Sequence, residues 1–146
     1  MCPAPTTRER CSTRVSFASN PFNTLIPVFT SVEEASAYLA TTEAVSTESF
    51  YWASRLIAAL ADAHYAEIVP VIERYQQRTL ALGHATVHAA HETAAGADSA
   101  EHVPALLAAA NTRIAEQIRE ATDALLSSVL FAASNRMANR FSRSDD

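Results

Sequence analysis

The sequence predicts a mainly α fold: a long antiparallel helical hairpin behind a short extended or β lead-in. Three observations carry this. Residues 46–93 repeat apolar side chains at helical spacing, and residues 100–141 do so at alternating steps of three and four, the period of a helix with one buried face. Between them, "AAGADSAEH" (94–102) is a turn and holds one of only two glycines in the chain. Ahead of them, "TLIPVFT" (24–30) is β-branched, aromatic and apolar, which favours extended backbone.

The elements follow in order. Residues 1–13, "MCPAPTTRERCST", are polar and punctuated by prolines, and read as a flexible tail. Residues 14–30 form an extended segment. "RVSFA" (14–18) is a short strand, "NPFN" (20–23) is turn chemistry, and Pro27, without an N–H, confines 24–30 to an edge strand. Residues 31–146 are the helical region. Ser31 with Glu34 three residues on is a capping box, predicting a helix over 31–40. Ser46 or Thr47 caps a second helix over 47–93, with Glu48 in its first turn. Its stripe includes Trp52, Leu56, Leu60, Ile68, Ile72 and Tyr75. Pro70 kinks it by removing one hydrogen bond, and Gly83 is a softer weak point. Gly96 stops it. Ser99 and Pro104 open the last helix, over 100–141, whose stripe runs from Val103 through Ile118 to Ala132.

Each arm then spans ~60 Å at 1.5 Å per residue. Two helices alone cannot cover apolar faces this wide. "FYWASRLIAAL" (50–60) and "LLSSVLFAASNRMANRF" (125–141) call for a further surface, either more chain or a second copy.

Composition narrows the function classes. The 146 residues make one domain or part of one, 49% hydrophobic, with a net charge of -5. With no basic run or aromatic-basic platform, nucleic acid is not an expected partner. All eleven basic residues are Arg, which rules out a catalytic lysine. Cys2 and Cys11 are too few for a disulfide scaffold and read as free thiols in a reducing cytoplasm. No signal-peptide core and no run of ~20 apolar residues occurs, so no membrane association is expected.

Several residue groups resemble sites. Cys2, once Met1 is trimmed, would carry a thiol and an α-amine, the nucleophile and base of an N-terminal-nucleophile hydrolase. His84, His88 and His91 share one helical face and have the spacing of a zinc site; a polar stripe near a helix end is the other reading, and no metal or cofactor is assigned. Asp62 and His64 diverge on a helix, whereas His64 and Glu67 are neighbours and read as an intrahelical pair or a contact to further core. Phe50, Tyr51 and Trp52 form an aromatic knot with core packing as its default role. The two glycines provide neither a phosphate loop nor a "GxSxG" elbow.

"SNPFNTLIPVFTSVE", "STESFYWASRLIAALADAHYAEIVPVIERYQQ", "LGHATVHA" and "LLSSVLFAASNRMANRFSRSD" follow one another at fitting separations. In this order they resemble the C-terminal third of the Ntn-hydrolase cysteine dipeptidases of the bacterial dipeptidase A type, over about residues 15–146. The resemblance implies the C-terminal part of an αββα fold, cytoplasmic location, dipeptide substrates, and an N-terminal cysteine nucleophile needing no metal. It places the segment holding Asn20 and Asn23 near substrate. Cys2 departs from the pattern. Pro3 and Pro5 follow it directly, and proline cannot sit in the central strand such a nucleophile needs. The expectation is a C-terminal region without catalytic residues of its own, inactive alone. It would join a missing catalytic core or self-associate; the alternative is a non-catalytic helical interaction module.

Overall fold

The computed structural model describes residues 12–15, 22–32, 38–39, 44–97 and 99–141, with the backbone alone for 12–15 and 138–141. Ser31 is an exposed turn residue, while Glu34 of the predicted capping box and most of the predicted 31–40 helix lie outside the described residues.

The chain is mostly helical. Two short strands, β1 (Ser12–Val15) and β2 (Ile26–Phe29), pair antiparallel, with Ser12 opposite Phe29 and Val15 opposite Ile26. Among the described residues three α-helices follow: α1 (Phe50–Ala63), α2 (Tyr65–Ala95) and α3 (Val103–Phe141). A 3-10 turn at Ala100–His102 leads into α3, and Ser99 Oγ caps it by accepting from the Glu101 N–H.

The long first arm is where the expectation needs correction. It begins at Phe50 rather than residue 47, because Ser46 closes a separate turn by accepting from the Glu48 N–H at 3.1 Å. The first N–H of α1, at Phe50, is taken instead by the Tyr38 carbonyl at 2.9 Å, tying residues 38–39 to the helix start. The arm is broken at His64, six residues before Pro70. His64 leaves helical geometry with φ -137 and ψ 38, while Pro70 sits inside α2 on its exposed side.

Apolar packing explains the break. Ile57 and Ala61 of α1 and Ile68 and Ile72 of α2 enter one cluster with Leu125, Leu126 and Val129 of α3. A single straight helix would carry the two pairs apart along its axis; a bend at His64 brings both onto α3. Contacts show the directions: Tyr75 meets Thr122 and Thr86 meets Gln117, so α2 runs against α3. Glu48 meets Arg119, and Ile57 and Ala61 pack near residues 125–129, so α1 runs with α3. The hairpin arm α2 alone is therefore ~46 Å long, shorter than the sequence implies.

β2 runs along the α2–α3 pair. Asn23 bonds Gln76, Thr24 bonds Thr79, Pro27 abuts Gly83 and Phe29 stacks on His91. From 23 to 29 an extended chain advances ~20 Å, and from 76 to 91 a helix advances ~22 Å, so strand and helix stay in step. Gly83 permits this approach: an added Cβ would lie 2.9 Å from Pro27 Cγ and 3.0 Å from Cδ. The residue read as a weak point in the helix is a contact point.

Candidate functional site

The turn at Asn23 is a polar site bonded to both α1 and α2. Asn23 Oδ1 accepts from the Thr24 N–H at 2.8 Å and from Ser54 Oγ of α1 at 3.4 Å. Its carbonyl accepts from Gln76 Nε2 of α2 at 2.7 Å. One residue on, the Thr24 and Thr79 hydroxyls lie 2.7 Å apart, both buried. Thr79 donates its single proton to the Tyr75 carbonyl at 2.9 Å, so Thr24 supplies the proton between the two hydroxyls. The turn is thus held by α1 and α2 together.

Deeper in, the Tyr75 hydroxyl lies 2.9 Å from Thr122 Oγ1 of α3. Burial pushes the Tyr75 phenol well above its usual range. Burial also raises the Tyr38 phenol to about 12, with the nearby Thr122 hydroxyl opposing the shift. Both are neutral hydroxyls at physiological pH and suit hydrogen bonding rather than proton abstraction.

At the far end of β2, the Asn111 side chain of α3 bonds Phe29 twice. Asn111 Oδ1 accepts from the Phe29 N–H at 2.9 Å and Nδ2 donates to the Phe29 carbonyl at 3.0 Å. A single amide thereby satisfies both backbone groups of a buried strand residue. Sequence reading passed over Asn111, Ser54, Gln76 and Thr79. Asn111 had one available signal, as an amide inside the apolar stripe of α3.

The other flagged residues separate in space. Asn20, Cys2 and Cys11 lie outside the described residues. His84 and His88 are exposed, with His88 3.4 Å from Glu92, whereas the His91 ring packs on Phe29 with centroids 5.6 Å apart. His64 and Glu67 are not an intrahelical pair: His64 is the junction residue, and Glu67 pairs with Arg136 of α3. Asp62 is exposed. The aromatic knot divides. Phe50 is fully buried against Tyr38, while Tyr51 and Trp52 stack edge-on at 5.1 Å and are partly exposed. Among the described residues, no group of three or more His, Cys, Asp or Glu side chains is placed to hold a metal ion. No helix among them is long and apolar enough to cross a membrane.

The amide-rich turn lies within the segment that a family pattern matches. The pattern of peptidase family C69 covers residues 5–78. The chain belongs to peptidase family C69. It is 41% identical over 132 residues to a protein named probable dipeptidase A from Streptococcus pyogenes serotype M18, covering 90% of this chain and 27% of that protein. It is 37% identical over 169 residues to a dipeptidase of Bifidobacterium longum, covering 90% of this chain and 32% of that protein. It is 28% identical over 132 residues to a probable dipeptidase B of Lactococcus lactis. This C69 chain therefore spans about a quarter to a third of the length of these relatives.

Proposed function

We propose that the chain is the C-terminal helical part of a cytoplasmic Ntn-type cysteine dipeptidase, and that it does not hydrolyse dipeptides alone. The observation that carries this is the agreement between a match covering nine-tenths of the chain and only 27% of a dipeptidase A relative and a sheet of two short strands among the described residues. A nucleophile of this type needs a rigid sheet to aim it at a carbonyl, and two strands of four residues make a marginal platform.

In this reading the helices support the substrate-proximal turn rather than perform chemistry. Asn23 holds the turn through its amide and carbonyl, and Asn20 and Asn23 are the residues of this chain nearest the dipeptide once the enzyme is complete. The described polar groups act as donors and acceptors, and no metal or cofactor is assigned. The test is incubation of the purified chain with a panel of dipeptides, following amino-acid release. No turnover is expected. Turnover lost in Cys2→Ala would overturn the proposal and make the N-terminal thiol the nucleophile.

A second reading, a non-catalytic interaction module, is favoured by one observation. Tyr65, Leu130, Phe131 and Met137 leave 61%, 41%, 70% and 60% of their surface in water near one end of the bundle. Apolar side chains left in water at one end are available for contact with a partner.

A further inference from the structure

We infer that the α2–α3 face turned away from β2 pairs with the same face of a second copy, through a two-fold axis beside Ser128. This rests on the interaction-module reading and specifies its surface and partner. On α2, β2 contacts Gln76, Thr79 and Gly83. By helical periodicity, Val71, Arg74 and Arg78 lie on the other side of the buried stripe. There they line a shallow open groove with Ala121, Ala124 and Ser128 of α3. Its floor is apolar and two guanidinium groups stand on its rim. Among the described residues neither Arg74 nor Arg78 forms an ion pair.

The complement to this groove lies on the same helix. Phe131, 70% exposed, follows Ala124 and Ser128 at steps of four and three, on the same side of α3. A chain cannot place its own Phe131 in its own groove, because the ring lies beyond the groove along one rigid helix. A second copy can. About a two-fold axis at residue 128, position 128+k of one α3 meets 128−k of the other, so Phe131 falls over Leu125 and beside Ala124. The contact is isologous, each copy giving one ring and receiving one. Ala124 and Ser128 are small enough to let two helices approach closely; the Ser128 hydroxyl is turned back onto the Ala124 carbonyl at 2.9 Å. Arg74 and Arg78 bring cations to the face of the incoming ring, a favourable arrangement for a π system. An apolar floor with two cations beside it suits an aromatic side chain, and this chain carries one on the same helix.

The experiment uses the full chain with Cys2→Ser and Cys11→Ser, measured by sedimentation equilibrium up to about 100 µM. A dimer is expected. Phe131→Asp is expected to weaken it by about tenfold or more, as for a central aromatic contact, with an unchanged thermal melt at concentrations dilute enough for both chains to be monomeric, because the ring is exposed there. In the same background, Ser128→Cys is expected to form an interchain disulfide on mild oxidation, and Ser127→Cys, about 100° round the helix, is not. A monomer throughout the range, a dimer indifferent to Phe131→Asp, or equal cross-linking at 127 and 128 would each overturn the inference. A dimer indifferent to Phe131→Asp leaves the interaction-module reading standing and overturns only this face, whereas a monomer throughout sinks both, so the two fail distinguishably.

Discussion

Replacing Asn111 by Ala removes the two hydrogen bonds that fasten Phe29 of β2 to α3. Phe29 is 1% exposed and Asn111 is 6% exposed, so water cannot easily take the amide's place. A buried backbone group left without a partner costs about 1–3 kcal/mol. Two such groups give about 2–6 kcal/mol, a large share of the roughly 5–15 kcal/mol that holds a domain folded. At about 3 kcal/mol, the melting temperature falls by roughly 10 °C for a chain of this size. The assay is urea denaturation followed by circular dichroism, with the exposed neighbour Thr112→Ala as control. A loss below about 1 kcal/mol for Asn111→Ala would show that β2 is not fastened here. Asn111→Asp sharpens the test. A neutral carboxylic acid can accept from the Phe29 N–H and donate to its carbonyl, as the amide does. A carboxylate can only accept, and burial disfavours its charge. The folded-state pKa of the new group is therefore raised, and the variant should be close to wild type at pH 4 and lose stability relative to it as pH rises above the unfolded value of about 3.9. A deficit that shrinks as pH rises would refute the reasoning.

Three more predictions concern the same packing. Gly83→Ala places a Cβ 2.9 Å from the Pro27 ring, so a change that should add up to ~1 kcal/mol of helix propensity instead lowers the melting temperature; a rise would show that β2 yields easily. Thr79→Val leaves the Thr24 hydroxyl without its buried acceptor, an expected loss of about 1–3 kcal/mol that Thr24→Val introduced with it reduces, as a double-mutant cycle measures. The Tyr38 phenol is held at about 12 mainly by burial, so its folded pKa exceeds the unfolded value of ~10. Its contribution is fully present below pH ~10 and is lost as pH rises through the folded value. Tyr38→Phe should therefore flatten the alkaline fall in stability between about pH 10 and 12, read by denaturation at fixed pH, and an unchanged profile would exclude Tyr38 as a source.

Much of the helical content was legible because periodicity reports a buried face directly. Ile68, Ile72 and Tyr75 on α2, and Leu107, Ile114 and Leu125 on α3, are all buried as their spacing requires. The break at His64 was not legible. Proline carries a local signal that histidine lacks, and the bend arises because Ile57 and Ile68 converge on a third helix, a tertiary demand with no mark in neighbouring residues. The same holds for the site. Asn23 stood out as turn chemistry, but Ser54, Gln76 and Thr79 come from helices 31 to 55 positions away. Gly83 looked like a flaw in a helix because its neighbour, Pro27, is distant in sequence.

β2 is pinned near both ends, by Thr24 on Thr79 and by Phe29 on Asn111, with Pro27 resting on Gly83 between them. It behaves as a strut rather than a thread. It cannot slide along the helices without breaking both fastenings, and a one-residue insertion between 24 and 29 would put one end out of reach. A push on the Asn23 turn is therefore transmitted as motion of the whole helical body, and the turn keeps its distance from the helices wherever that body is carried.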